Sequence, residues 1–207
     1  MNYQEATAYI EEIRGRLASD YSLDRVMKLA GLMGHPERKL RIVHIAGTNG
    51  KGSVGAYIAN ALAMSGYSVG RFASPALFDP REQIQRVLGN HFGTDTAWIS
   101  EEEVAERITQ IAQCVRKMEQ VGGESPTAFE IETVMAFEQM VRWHTDVAVI
   151  EVGMGGSNDA TNIIEKPVLT VFTKISRDHT GFLGNTLEEI ASNKFGIITV
   201  SYTHLRA

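Results

Sequence analysis

The chain has 207 residues, enough for one α/β domain with a sizeable core. Its 43% hydrophobic and 22% charged content is that of an ordinary globular fold, and a formal net charge of -5 removes the electrostatic argument for nucleic-acid binding. A single cysteine, Cys114, excludes an internal disulfide; no apolar run is long enough for a membrane span, and the first residues lack a signal-peptide pattern, so the cytoplasm is the expected compartment.

Tyr9, Ile10, Ile13 and Leu17 recur at helical spacing and predict a helix over 3–18. Ser22 opens a second helix over 22–33, which Gly34 and Pro36 close. A strand is expected over 41–46, an Ala-rich helix over 51–65, and a strand over 67–73 that delivers Ser74-Pro75. The segment 76–99 reads as irregular, with Gly89-Asn90 as a turn or hairpin tip. Ser100 with Glu103 is a capping-box signature for a helix to about 120, and another helix covers about 127–143. Apolar strands follow at 146–151 and 167–174, and Thr186 with Glu189 caps a helix to about 196. Strands alternating with helices predict an α/β fold, a largely parallel sheet with helices on both faces.

The stretch from Arg41 to Ser53, R-I-V-H-I-A-G-T-N-G-K-G-S, carries the most chemistry. An apolar strand runs into a glycine-rich turn, and a helix follows at once. Backbone N–H groups and the positive end of that helix then face one anion. Gly47, Gly50 and Gly52 allow close approach to phosphate oxygens, Lys51 adds charge, and Ser53 adds a hydroxyl for the nucleotide or its metal. In open α/β sheets ligands bind beyond the carboxyl ends of the strands. Three further groups fall there: Ser74, Glu151 and Asp178-His179. Glu151 ends D-V-A-V-I-E, and an acid at that point can hold Mg²⁺ against the phosphates; the competing reading is a cap or salt bridge.

The loop departs from the usual Walker spacing, because only Thr48 and Asn49 separate Gly47 from Gly50-Lys51, and Gly52 intervenes before Ser53. G-T-N-G-K-G-S resembles the compact loop of the Mur ligase superfamily, ATP-dependent amide-bond-forming enzymes. H-I-A-G-T-N-G-K-G-S most resembles its folylpolyglutamate synthase and dihydrofolate synthase branch, and the likeness runs over about 3–198. It implies a P-loop-containing domain of the Mur ligase central-domain type, with ATP bound by Gly47, Thr48, Asn49, Gly50, Lys51, Gly52 and Ser53. It implies one or two Mg²⁺ ions on Ser74, Glu151 and His179, a catalytic role for Lys51, and a lysine at Lys194 that is often carbamylated.

E-V-G-M-G-G-S-N-D-A-T-N matches the family's E-V-G-x-G-G-R-x-D-A-T-N except that Ser157 stands for the arginine, with Asn158 beside it. S-P-A-L replaces the family's S-P-H-L, Arg177 precedes the D-H motif, and N-K-F-G-I replaces E-K-A-G-I. The resemblance places Asn158, Asp159 and Ala160 at the substrate, and P-T-A-F-E-I-E-T at 126–133 borders the folate site with Phe129 and Glu130. Phe129 either stacks on a pterin or simply begins an amphipathic helix. The turn Ser19 to Tyr21 is a further candidate for substrate contact.

The implied reaction is ATP-dependent. A folate or dihydropteroate carboxylate attacks the γ-phosphate to give an acyl phosphate, and the amine of L-glutamate displaces phosphate. No nucleic-acid or membrane partner is implied, and a monomer is expected. A cell-wall Mur-type ligase is a rival, weakened because only about forty residues precede the loop. A P-loop kinase is disfavoured by the loop spacing, and a non-catalytic Mg·ATP-binding fragment is the rival of another class. Family members continue well beyond K-x-G-I, whereas 199–207 match nothing in the pattern. The expectation is a truncated or frame-shifted chain without its glutamate-ligase domain, nearly inactive alone and with an exposed apolar face; the alternative is a short paralogue.

Overall fold

The structure, a computed structural model, describes residues 1–15, 22–91 and 93–199. Among these residues six α-helices and six strands follow in chain order: α1 Tyr3–Arg14, α2 Asp24–Leu32, β1 Ile42–Ala46, α3 Lys51–Met64, β2 Val69–Phe72, β3 Ile84–Asn90, β4 Gly93–Trp98, α4 Glu101–Gln120, α5 Ala128–Arg142, β5 Val147–Glu151, β6 Leu169–Phe172 and α6 Leu187–Phe195. The expected continuation of α1 through Leu17, the turn at Ser19 to Tyr21 and nearly all of the 199–207 tail lie outside the described residues.

One sheet orders the strands β4-β3-β2-β5-β1-β6. β2, β5, β1 and β6 are parallel, and β3 and β4 add an antiparallel edge. The central strands I-V-H-I-A and V-A-V-I-E are buried throughout, as expected for parallel strands covered on both faces. Their side chains divide between two cores by the two-residue period. Ile42, Phe72, Ala148 and Ile150 pack with α1, α2, α4 and α5. Val43, Ile45, Val69, Val147 and Val149 pack with Ala59 and Ala63 of α3.

Helix starts obey local chemistry. Ser100 with Glu103 and Thr186 with Glu189 form the two expected capping boxes, and Thr127 with Glu130 forms another at α5. The segment 76–99 differs from expectation, because it contains a short 3-10 turn and the β3–β4 hairpin. β4 is the edge strand and β3 the next one in, and both carry polar residues, so they lack the apolar run that betrays a central strand. Gly89 is not at the tip. It sits in β3 because a Cβ there would lie 2.2 Å from the Ala63 carbonyl oxygen at the end of α3.

Topology creates a crevice between β1 and β5. The chain leaves β1 into α3 on one face. It leaves β5 into a 3-10 turn, Ala160–Ile163, that packs against α2 and α5 on the other. The exits of all four parallel strands lie along one sheet margin, the position where such sheets bind ligands.

Candidate functional site

The glycine loop fills this crevice. Gly50, at φ 87°, turns the chain into α3, and no side chain caps that helix. Its first helical bond is Val54 N–H to Gly50 O, so the N–H groups of Lys51, Gly52 and Ser53 have no helical partner. The remainder of the loop differs from a free nest of donors. Thr48 and Asn49 both donate their N–H groups to Lys174 O, at 2.9 and 3.3 Å, and the Thr48 hydroxyl donates to Ser176 O at 3.1 Å. The loop is therefore held to the exit of β6, and its open donors are those of the helix start. Gly47 must be glycine: its φ is 152°, and a Cβ would stand 1.9 Å from Thr173 Oγ1.

Charges gather round this helix start. Lys51 Nζ lies 3.8 Å from Glu151 Oε1. Burial pushes the Glu151 carboxyl above the usual range, while Lys51 and Arg71 oppose the rise. Lys194 is 2% exposed and donates from Nζ to Gly47 O at 3.1 Å. Its amine is held below the ordinary lysine value by burial and by the charge of Lys51. Arg71, which the sequence reading did not single out, donates from Nη2 to Gly52 O at 2.9 Å. Its signal was a charged residue inside the buried strand V-G-R-F.

A cavity of about 880 Å³ is lined by residues that follow β2 and β5, among them Ser74 and Gly153, and by Asn193 of α6, but by none of the loop residues 47–53. Ser74, Phe129, Glu130, Asn158, Asp159 and Ala160 all line it, so one volume unites the expected substrate residues with one expected metal ligand. The Phe129 ring lies 6.0 Å from that of Phe72 with an interplanar angle of 26°, and Gly153 leaves room for it, since a Cβ there would meet Phe129 Cζ at 2.5 Å. Phe129 thus begins α5 and also forms cavity wall.

Two of the acids are already engaged. Glu130 accepts from Thr127 N–H at 2.7 Å and faces the buried Arg25 at 3.3 Å. Asp159 accepts from Met154 N–H at 2.8 Å and from Thr161 N–H at 3.0 Å and the Thr161 hydroxyl at 2.5 Å. Burial nevertheless pushes its carboxyl above the ordinary value. His44, buried in β1, completes this chain through Nε2, 2.8 Å from Thr161 Oγ1. Neither His44 nor Thr161 was expected at the site.

His179 is placed differently. It has φ 47°, its side chain is about half exposed, and its imidazole Nε2 lies 3.5 Å from Asp178 Oδ2. It does not line the cavity. Among the described residues no three His, Cys, Asp or Glu side chains are grouped to hold a metal. Ser157, at the position of the family arginine, instead clips the loop to α6 by donating its N–H and hydroxyl to Asn193 O, at 2.9 and 3.0 Å. Cys114 is buried, with Sγ 3.6 Å from Met33 Sδ, and burial raises its thiol above the ordinary value. No helix among the described residues is long and apolar enough to cross a membrane.

Comparison with known proteins agrees with this geometry. The Mur ligase middle domain matches residues 45–204. The dihydrofolate synthase/folylpolyglutamate synthase of Bacillus subtilis is 41% identical over 199 residues, covering 95% of this chain and 44% of that protein. The apo form of L. casei FPGS, a folylpolyglutamate synthase, superposes with a TM-score of 0.85 at 36% identity, over 96% of this chain and 46% of that one. An FPGS–AMPPCP–folate complex gives the same TM-score, identity and coverage. The chain therefore spans less than half the length of these relatives. With the compact glycine loop, the parallel sheet and these matches in hand, the chain belongs to the Mur ligase family, through that family's middle domain.

Proposed function

We propose that this chain is the ATP-binding part of a ligase that joins L-glutamate to a folate or dihydropteroate carboxylate. The observation that carries the reading is a pair of features linked through α6, where Lys194 bonds Gly47 O and its neighbour Asn193 lines the cavity: an uncapped helix start with Lys51 facing Glu151, and a cavity of about 880 Å³ lined by Ser74, Phe129 and Asp159. The first suits a triphosphate and the second a flat, partly apolar molecule. Relatives named for both activities, and an FPGS structure holding AMPPCP and folate, support the assignment.

The substrate carboxylate oxygen attacks the γ-phosphorus of ATP, and ADP leaves. The L-glutamate amine then attacks the acyl carbon, and phosphate leaves. The loop's role is to hold the phosphates in line and to offset crowded negative charge. Lys51 and the N–H groups of Lys51, Gly52 and Ser53 are aimed for this, with Gly47, Thr48, Asn49 and Gly50 shaping the turn. Phe129, Glu130, Asn158, Asp159 and Ala160 form the wall for the acceptor.

Glu151 and Ser74 are oxygen donors that suit Mg²⁺, which keeps most of its water and needs few protein ligands. The buried Glu151 carboxylate, raised by desolvation, is a group that a cation would stabilise. When bound, Mg²⁺ would neutralise phosphate charge. His179 would join this set only after its pairing with Asp178 loosens. The Lys194 amine, buried and shifted toward its neutral form, is suited to carbamylation and so to a catalytic role. The reading includes a cytoplasmic setting, a monomer and a glutamate-ligase portion beyond this part.

Calorimetry with Mg·AMPPCP tests the assignment, alongside phosphate release with ATP, L-glutamate and dihydropteroate or a tetrahydrofolate. Binding that Lys51→Ala and Glu151→Ala each weaken by orders of magnitude is the expected result; no binding by the unmodified chain would overturn it. Substrate-dependent phosphate release would show that this portion suffices for chemistry, and binding without release would assign the remainder to residues outside it.

A further inference from the structure

The phosphate loop is pinned at both ends by side-chain N–H donors from distant elements. Lys194 holds Gly47 O from α6, and Arg71 holds Gly52 O from β2, at 3.1 and 2.9 Å. The Arg71 guanidinium is itself fixed as a fork. Its Nη1 donates to Gln85 Oε1 at 2.9 Å, and Gln85 Nε2 donates to Glu82 O at 2.8 Å. Helix α3 turns Gly52 and Gly55 toward it, because residues three apart share a helix face. A Cβ on Gly52 would stand 3.7 Å from Arg71 Nη2, and one on Gly55 3.6 Å from Arg71 Nε. The Cβ on Gly52 would also stand 3.5 Å from Glu151 Oε2, so guanidinium, carboxylate and helix start meet at one point.

A planar peptide points its C=O and N–H in opposite directions. Holding the Gly52 carbonyl against Arg71 therefore sets the direction of the Ser53 N–H, one of the three α3 donors without a helical acceptor. We propose that Arg71 is a positioning residue for triphosphate binding, acting through the Gly52–Ser53 peptide and adding a cation behind the loop. This rests on the nucleotide-binding reading above and gives that site a residue and a role it did not contain.

The test compares the wild-type chain with Arg71→Leu, Arg71→Lys and Gln85→Leu. Mg·AMPPCP affinity is read by calorimetry, and amide exchange at Val54 to Ala56, the first bonded donors of α3, is read without nucleotide. Arg71→Leu should weaken AMPPCP at least about tenfold, the loss of one charged hydrogen bond, and speed exchange in that turn. Arg71→Lys should recover part of the affinity through its charge but not the slow exchange. Gln85→Leu should loosen the fork and weaken AMPPCP by about threefold to fivefold.

A folded Arg71→Leu with wild-type affinity and exchange overturns the proposal. If Arg71→Leu does not fold, Gln85→Leu decides, and wild-type affinity with wild-type exchange in that variant overturns it. Failure of the wild-type chain to bind AMPPCP would overturn the nucleotide reading as well, whereas wild-type binding that ignores Arg71 overturns this inference alone.

Discussion

Acid should destabilise this fold through His44. The imidazole lies in the middle of β1, 0% exposed, with Nε2 at 2.8 Å from Thr161 Oγ1 and Nδ1 without a partner. Thr161 gives its proton to Asp159, so Nε2 carries the imidazole hydrogen and Nδ1 is bare. A second proton would create a buried donor with no acceptor, and burial pushes the pKa from 6.5 down to about 3. The folded state thus binds fewer protons than the unfolded state between these values. Stability is complete above the unfolded value of 6.5 and falls as pH drops toward 3, at about 1.4 kcal/mol per unit. At about pH 5 the loss is about 2 kcal/mol, a substantial part of a domain's usual ~5–15 kcal/mol. Urea unfolding at about pH 7.5 and about pH 5 would measure it against His44→Gln, whose amide can still donate to Thr161. The wild type should lose about 2 kcal/mol more than the variant over that range. Equal losses, or a His44 resonance titrating near the ordinary histidine value, would refute the reasoning.

Four further substitutions probe the glycine loop and the 153–161 loop. Gly156→Ala places a Cβ 2.7 Å from both Asn193 O and Lys194 O, backbone atoms that cannot swing aside; the melting free energy should fall by about 2 kcal/mol or more in calorimetry. Asp159→Asn puts an amide donor against either Met154 N–H or the Thr161 donors; chemical unfolding should show a loss of about 2 kcal/mol. Gly47→Ala combines φ 152° with a Cβ 1.9 Å from Thr173 Oγ1 and should abolish AMPPCP binding, while Gly50→Ala, with φ 87° but nothing within 4 Å, should cost only about 1–2 kcal/mol in unfolding experiments.

Much of the architecture was legible because its causes are local. Ser100 with Glu103, and Thr186 with Glu189, announce helix starts within four residues. The runs I-V-H-I-A and V-A-V-I-E announce central strands, because a strand buried on both faces has no polar alternation. The strands of the β3–β4 hairpin escaped for the converse reason, although Gly89-Asn90 was read as a turn or hairpin tip: they bear polar residues and a glycine whose cause is the distant Ala63 carbonyl. Asp159 and Glu130 were expected at substrate. They do line the cavity, but their oxygens also hold the 153–161 loop and the start of α5, bonds that motif matching could not show.

By itself, then, the sequence determined the family of loop, the strand-loop-helix that carries it, and the residue types available for anion, metal and acceptor. The strand, loop and helix follow from spacing along the chain, whereas the metal and acceptor candidates follow from the likeness of its motifs to the family's. Only the tertiary structure decided which of these groups meet. Lys194 reaches Gly47 across 147 residues, and His44 reaches Thr161 across 117. It also decided that Thr48 and Asn49 spend their N–H groups on Lys174, and that Arg71 points at Gly52. Such pairings depend on strand order and register, which bring together side chains that leave no periodic trace in the sequence.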